Sequence, residues 1–163
     1  MLTVSNTSPL LNLAIINHLH LIEQQFTEVY IPEAVLAELK VNENLLGSRH
    51  LKNALTKKWI KVESVKNKAL VKLLRRELDQ GESEAIALAI EKQADLILLD
   101  EKEGRRIART LNLKITGILG IAIKAHKNGE LKSMTNFIHR LRSQAGFHLS
   151  SPLEQRILKE VGE

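Results

Sequence analysis

The sequence predicts a three-layer α/β/α sandwich, in which helices cover both faces of a central, mainly parallel sheet. Three observations carry that prediction. The stretch "DLILLD" is apolar at four successive positions, Leu96 to Leu99, with helical patterns on either side. An unbroken apolar run of this kind suits a strand buried on both faces. Strand-like runs ending at Val4, Ile31 and near Ile115 are each followed by helix-like apolar spacing, so the elements alternate along the chain. At 163 residues and 44% hydrophobic content, residues 1–163 suit one domain burying roughly two thirds of its unfolded surface.

Taken in order, Val4 ends a short strand, Pro9 sits where a helix begins, and Leu10, Leu11, Leu13, Ala14 and Leu21 continue with helical spacing. "EVYIPEAVLAELK" repeats the plan, with Val29, Tyr30 and Ile31 as strand, Pro32 opening a helix, and Val35, Leu36 and Leu39 as its buried face. Residues 43–50, containing Gly47, read as a loop and 51–58 as a short helix. "WIKVESV" alternates like a half-buried or edge strand, and 67–78 forms an amphipathic helix. "GESEAIALAIEKQA" is helix, "DLILLD" strand, "EKEGRRIARTL" helix, "LKITG" strand and "ILGIAIKAHKNGE" helix. The tail, about 131–163, carries helices near 133–145 and 152–161, the second capped by Ser151 and Pro152. It is expected to pack across the domain or onto a partner.

Composition narrows the chemistry. The chain has no cysteine, which excludes disulfides, thiolate catalysis and cysteine-ligated zinc. No stretch approaches the roughly 20 apolar residues of a membrane span, and the N-terminus lacks a signal-peptide pattern, so a cytoplasmic protein without membrane attachment is expected. The net charge of +5 is unevenly spread. Lys57 to Arg76 holds eight Lys/Arg against Glu63, and Arg105 to Arg142 holds nine against Glu130. Between them, Asp79 to Glu103 holds eight acids and two lysines. An acidic island between basic flanks suits a cation site that attracts a polyanion, with Lys72, Arg75 and Arg76 as one such flank; ordinary solvated helix faces explain it equally well. With five aromatic residues other than histidine, one Trp, one Tyr and three Phe, base stacking on exposed platforms is disfavoured.

The acids fall where open parallel sheets bind ligands, beyond the carboxyl ends of the strands. Asn6 follows the first strand and Asp100 ends "LILLD", while Glu82 opens a helix and Glu38 lies in the second turn of another. Each has a plainer account. Glu82 and Glu84 suit a first helical turn electrostatically, Asp100 suits an N-cap for the helix that starts at Glu101, and Glu38 suits a solvated helix face. Their recurrence at one end of several units favours a shared site.

At this point "VSNTSPLLNLA", "VYIPEAVLAEL", "GESEAIALAIEKQADLILLDEKEGRRIA" and "ITGILGIAIKA" resemble the PIN domain, in particular a prokaryotic branch similar to toxin ribonucleases. The resemblance covers about residues 2–130. It implies an acid cluster that binds Mg2+ or Mn2+ to hydrolyse RNA, a cognate antitoxin protein and a homodimer. The family's acids fall on Asn6, Glu38, Glu82 and Asp100, which are therefore the expected catalytic and metal-binding residues. Thr7, Ser8 and Arg105 are the expected substrate-binding residues, with Glu84, Glu101 and Glu103 close enough to assist but outside the metal's ligand set.

Asn6 departs from the family by offering a neutral amide where the family has a carboxylate. An amide oxygen can complete an octahedral Mg2+ shell but cannot neutralise charge. One charge pair at about 4 Å and an effective dielectric near 20 is worth about 4 kcal/mol, so weaker ion binding follows. A fold retained as a nucleic-acid or protein-binding module, with hydrolysis weakened, is the alternative. Other constellations point elsewhere less strongly: the six histidines form no HExxH, "TGILG" lacks a third glycine, and Ser8 has no His/Asp relay.

Overall fold

A computed structural model describes all residues, 1–163. The N-terminal run is β1 (Thr3–Ser5), followed by α1 (Thr7–Ile15) and α2 (His20–Phe26). Next come β2 (Val29–Ile31), α3 (Glu33–Leu39), α4 (Ser48–Thr56), β3 (Ile60–Val62) and α5 (Lys68–Leu74). The regular central portion is α6 (Gln80–Glu91), β4 (Leu96–Leu98), α7 (Lys102–Thr110), β5 (Ile115–Thr116) and α8 (Ile118–Lys127). The tail forms α9 (Met134–Ala145) and α10 (Ser151–Glu160).

The sheet has the order β3-β2-β1-β4-β5, and every neighbouring pair is parallel, so "mainly parallel" becomes wholly parallel. From β1 the chain builds outward through β2 to β3, then returns to place β4 on the other side of β1. Connections leaving β1 and β4 therefore diverge, and the crevice they leave lies beyond the strands' carboxyl ends. In register, Ser5 is level with Leu98, and the Asn6 N–H donates to the Leu98 carbonyl at 2.9 Å. Asn6 and Asp100 thus leave the sheet side by side.

The centre of the molecule is α6. From Gly81 to Ala89 every residue except Glu84 is buried, and the helix packs against β1, β4, α3, α5 and α7. Alanines at 85, 87 and 89 allow this close approach on several sides, while Ile86 and Leu88 fill the remaining space. Each such aliphatic side chain contributes about 1.5–3 kcal/mol by leaving water. Asp79 caps the helix, its Oδ1 accepting from the Glu82 N–H at 2.8 Å.

Local differences from the expected elements have simple causes. The first helix starts at Thr7, two residues before Pro9, because the N–H groups of a first turn have no intrahelical partner and proline loses nothing there. Its apolar pattern continues to Leu21, but Asn17 at φ +62° breaks it into α1 and α2. The helix expected at 51–58 begins at Ser48, after Gly47 in the left-handed region at φ +89°, where the α1 backbone at Ala14 would lie 3.0 Å from a Cβ. The helix expected over 67–78 ends at Leu74 and continues as turns. Ser150, rather than Ser151, caps the last helix by accepting from the Leu153 N–H.

Candidate active site

The polar run after β1 acts as a set of donors for carboxylates. Asn6 occupies the N-cap position of α1 without bonding to that helix, and is 3% exposed. Its Nδ2 donates instead to Glu101 Oε2 at 3.1 Å, leaving Oδ1 buried without a partner. Thr7 Oγ1 donates to Glu38 Oε1 at 2.8 Å, and Ser8 Oγ donates to Glu101 Oε1. The start of α1 therefore gathers one acid from α3 and another from the β4–α7 junction.

Glu38 lies in the last turn of α3, half-buried, with its carboxylate against Gly81. A methyl group at position 81 would overlap Glu38 Oε1, so the absence of a side chain there admits the acid. Burial raises the Glu38 pKa, the Thr7 hydrogen bond partly offsets this, and repulsion from Asp79, Glu101 and Glu84 adds to the rise.

Glu82 is the most confined acid. It is 7% exposed, its Oε2 has no hydrogen-bond partner, and a Cβ on Gly104 would stand 2.6 Å from that oxygen. Burial first, then repulsion from Asp79 and Glu101, pushes its pKa up to about 7. A buried carboxylate oxygen left without a partner is expensive unless something positive meets it.

Asp100 stands at the same end of the sheet but faces the other way. The Ile118 N–H at the start of α8 donates to its Oδ1 at 3.1 Å. It therefore caps α8, eighteen residues on, rather than the adjacent α7, whose N-cap position is Glu101. Burial pushes the Asp100 pKa up to about 6; the Ile118 bond opposes this, Glu101 adds to it and Arg105 reduces it. Arg105 donates from Nη1 to the Leu99 carbonyl at 3.0 Å, and with Asp100 it forms one end of a cavity of about 610 Å³ that continues along β5, α8 and α10.

Of the residues expected from the sequence, Asn6, Thr7, Ser8, Glu38 and Glu82 come together. Asp100 and Arg105 flank that group on the α8 side. Thr7 and Ser8 are occupied in holding carboxylates, a different task from contacting substrate directly. Glu101 was expected only to assist, yet it is the common neighbour whose charge raises Glu38, Glu82 and Asp100 alike. Asp79 had no assigned role and repels both Glu38 and Glu82.

No three acids stand in a ready-made metal cage. The donor set nevertheless fits a hard divalent cation: all the ligating atoms would be oxygens, and Asn6 Oδ1 and Glu82 Oε2 are buried and unpartnered. Glu38, Glu82 and Asn6, with Glu101 alongside and Asp100 from the α8 side, are the residues able to hold such an ion. A comparison with curated proteins finds no match. A family model described as a PIN domain matches residues 2–163, so this chain belongs to the PIN domain family, whose members are in general metal-dependent nucleases.

Proposed function

We propose that this protein is a metal-dependent endoribonuclease, the toxin of a toxin-antitoxin pair, acting in the cytoplasm as a homodimer with Mg2+ or Mn2+. The nuclease part is carried by one observation, the buried and unpartnered Glu82 Oε2 at the centre of a group of acids. The antitoxin and homodimer parts rest on the resemblance of the sequence to the toxin-like branch, and the cytoplasmic part on the lack of a helix long and apolar enough to cross a membrane.

When bound, the ion supplies charge compensation at a phosphodiester and acidifies water. Glu38, Glu82, Asn6 and Asp100 are its proposed ligands. The chain's own residues do the positioning: Thr7 orients the Glu38 carboxylate, while Asn6 and Ser8 hold Glu101 from two sides. Glu82 carries a proton up to about pH 7 in the free protein, so ion binding displaces that proton. Arg105 neutralises part of the charge at Asp100 and offers a cation to a phosphate nearby.

The rival reading is a binding module with weakened hydrolysis. It is favoured by the Asn6 amide, which faces Glu101 as a donor, and by Asp100, which is engaged by Ile118. Incubating single-stranded RNA with the purified protein and Mn2+ or Mg2+, beside Glu82→Gln, Asp100→Asn and Asn6→Asp, separates the two. The nuclease predicts cleavage that Glu82→Gln and Asp100→Asn abolish. Binding without cleavage, with hydrolysis appearing only in Asn6→Asp, refutes it in favour of the module.

A further inference from the structure

We infer that the face made by Lys68 and Lys72 of α5 and by Arg75 at its C-terminal cap is a phosphate-binding groove that holds the backbone of single-stranded RNA beside the acid group. The three cations recur at intervals of four and three residues, which places them on one side of the helix. They line an open groove of about 350 Å³ floored by Val71 and closed by Gln80 and Glu84 of α6. All three are exposed and none takes part in an ion pair.

Glu84, the only acid lining the groove, accepts from the Ala34 N–H at 3.2 Å and from Gln80 Nε2 at 2.5 Å, so it is engaged with its own neighbours. The lining therefore carries a surplus of two positive charges, three cations against one acid. Arg76, the next cation along, lies outside it.

The groove adjoins the candidate active site across a single helical turn. Gln80 lines the groove, while the residues on either side of it face the acids: Asp79 repels Glu82, and Gly81 packs against Glu38. Glu84 belongs to both sides, as its charge also acts on Glu38. From Lys68 to Arg75 the helical rise is about 10 Å, so the three long side chains can reach successive phosphates of one extended strand. A strand held there would enter the acid group as phosphate leaves the cations.

This inference depends on the nuclease reading for its meaning, but its binding test does not. Fluorescence anisotropy with a labelled single-stranded RNA oligonucleotide, in EDTA, compares the protein with the triple variant Lys68→Ala, Lys72→Ala, Arg75→Ala. A second triple, Lys52→Ala, Lys124→Ala, Lys132→Ala, removes the same charge from elsewhere. At about 0.7 released counterions per phosphate, losing three contacts lowers the slope of log K against log salt by about 2. The affinity ratio between parent and groove variant then shrinks about 16-fold from 50 to 200 mM salt, while the control triple keeps the parent's slope.

With Mn2+, the groove variant is expected to lose at least tenfold in kcat/KM on the oligonucleotide and to match the parent on bis(p-nitrophenyl) phosphate. Equal slopes for the two triples, or no RNA binding by the parent, overturn the groove. Absence of cleavage by the parent while the slopes differ overturns the nuclease reading and leaves the groove standing.

Discussion

Replacing Glu82 by glutamine should make the metal-free protein more stable, because the native fold opposes ionisation of that carboxyl. Its pKa rises from an ordinary 4.5 to about 7, through burial first and then repulsion from Asp79 and Glu101. Between those values the folded chain keeps a proton that the unfolded chain has lost. Stability therefore falls as pH rises from about 4.5 to about 7 and is level beyond. That interval corresponds to about 3 kcal/mol at roughly 1.4 kcal/mol per pH unit. Glutamine is neutral throughout, so Glu82→Gln should match the parent near pH 4 and exceed it by about 2–3 kcal/mol at pH 8, a rise in Tm of about 4–12 °C for a chain of this size. Thermal unfolding in EDTA at pH 4, 6 and 8 measures this directly. Saturating Mn2+ should close the gap at pH 8, since an ion at about 100 times its Kd stabilises only the protein that binds it, by about 2.7 kcal/mol. A variant with the parent's pH dependence, or one less stable than the parent at pH 8, refutes the reasoning that Glu82 is held at the centre of a charge-repelling group.

Gly81→Ala should leave stability within about 1 kcal/mol of the parent, since alanine favours the helix, while the methyl group displaces the Glu38 carboxylate and lowers Mn2+ affinity at least tenfold by calorimetry. Asn6→Asp replaces the donor to Glu101 with a like charge; in EDTA at pH 8 it should destabilise the fold by about 1–3 kcal/mol, with recovery on Mn2+ and tighter ion binding. Asp100→Asn keeps an oxygen for the Ile118 N–H and removes a carboxyl whose pKa burial raises from 3.8 to about 6, so in urea and EDTA at pH 8 it should exceed the parent by about 2–3 kcal/mol, match it near pH 4, and lower RNA cleavage at least 100-fold; Asp100→Ala should fall short of Asp100→Asn by about 1 kcal/mol of helix capping.

Much of this was legible in the sequence because burial and periodicity act locally. The run Leu96 to Leu99 announced a doubly covered strand, and acids at strand ends announced the crevice. Side-chain direction after a strand was not legible. Asp100 and Glu101 are adjacent, and consecutive residues leaving a strand point apart, so one went to α8 and the other to α1. The importance of Glu101 was hidden for that reason, although the buried Asn6 amide needed an acceptor and a neighbouring acid could serve. Asp100 found its partner eighteen residues away, a pairing that depends on β5 lying beside β4. Likewise, periodicity named a basic helix but not its end. The chain spacing puts Lys68 with Lys72 and Arg75 in the groove, and Arg76, in the turn after α5, lies outside it.

Because Glu82 and the Gly81 that packs against Glu38 sit on the most enclosed helix of the fold, the acid group inherits the rigidity of the core. Deeper in that helix, the amides from Ala85 to Ala89 should exchange with deuterium only when the whole chain opens. Substitutions beneath α6 therefore reach the acid group directly, and drift in this interior is constrained twice over, by packing and by the carboxylates it positions.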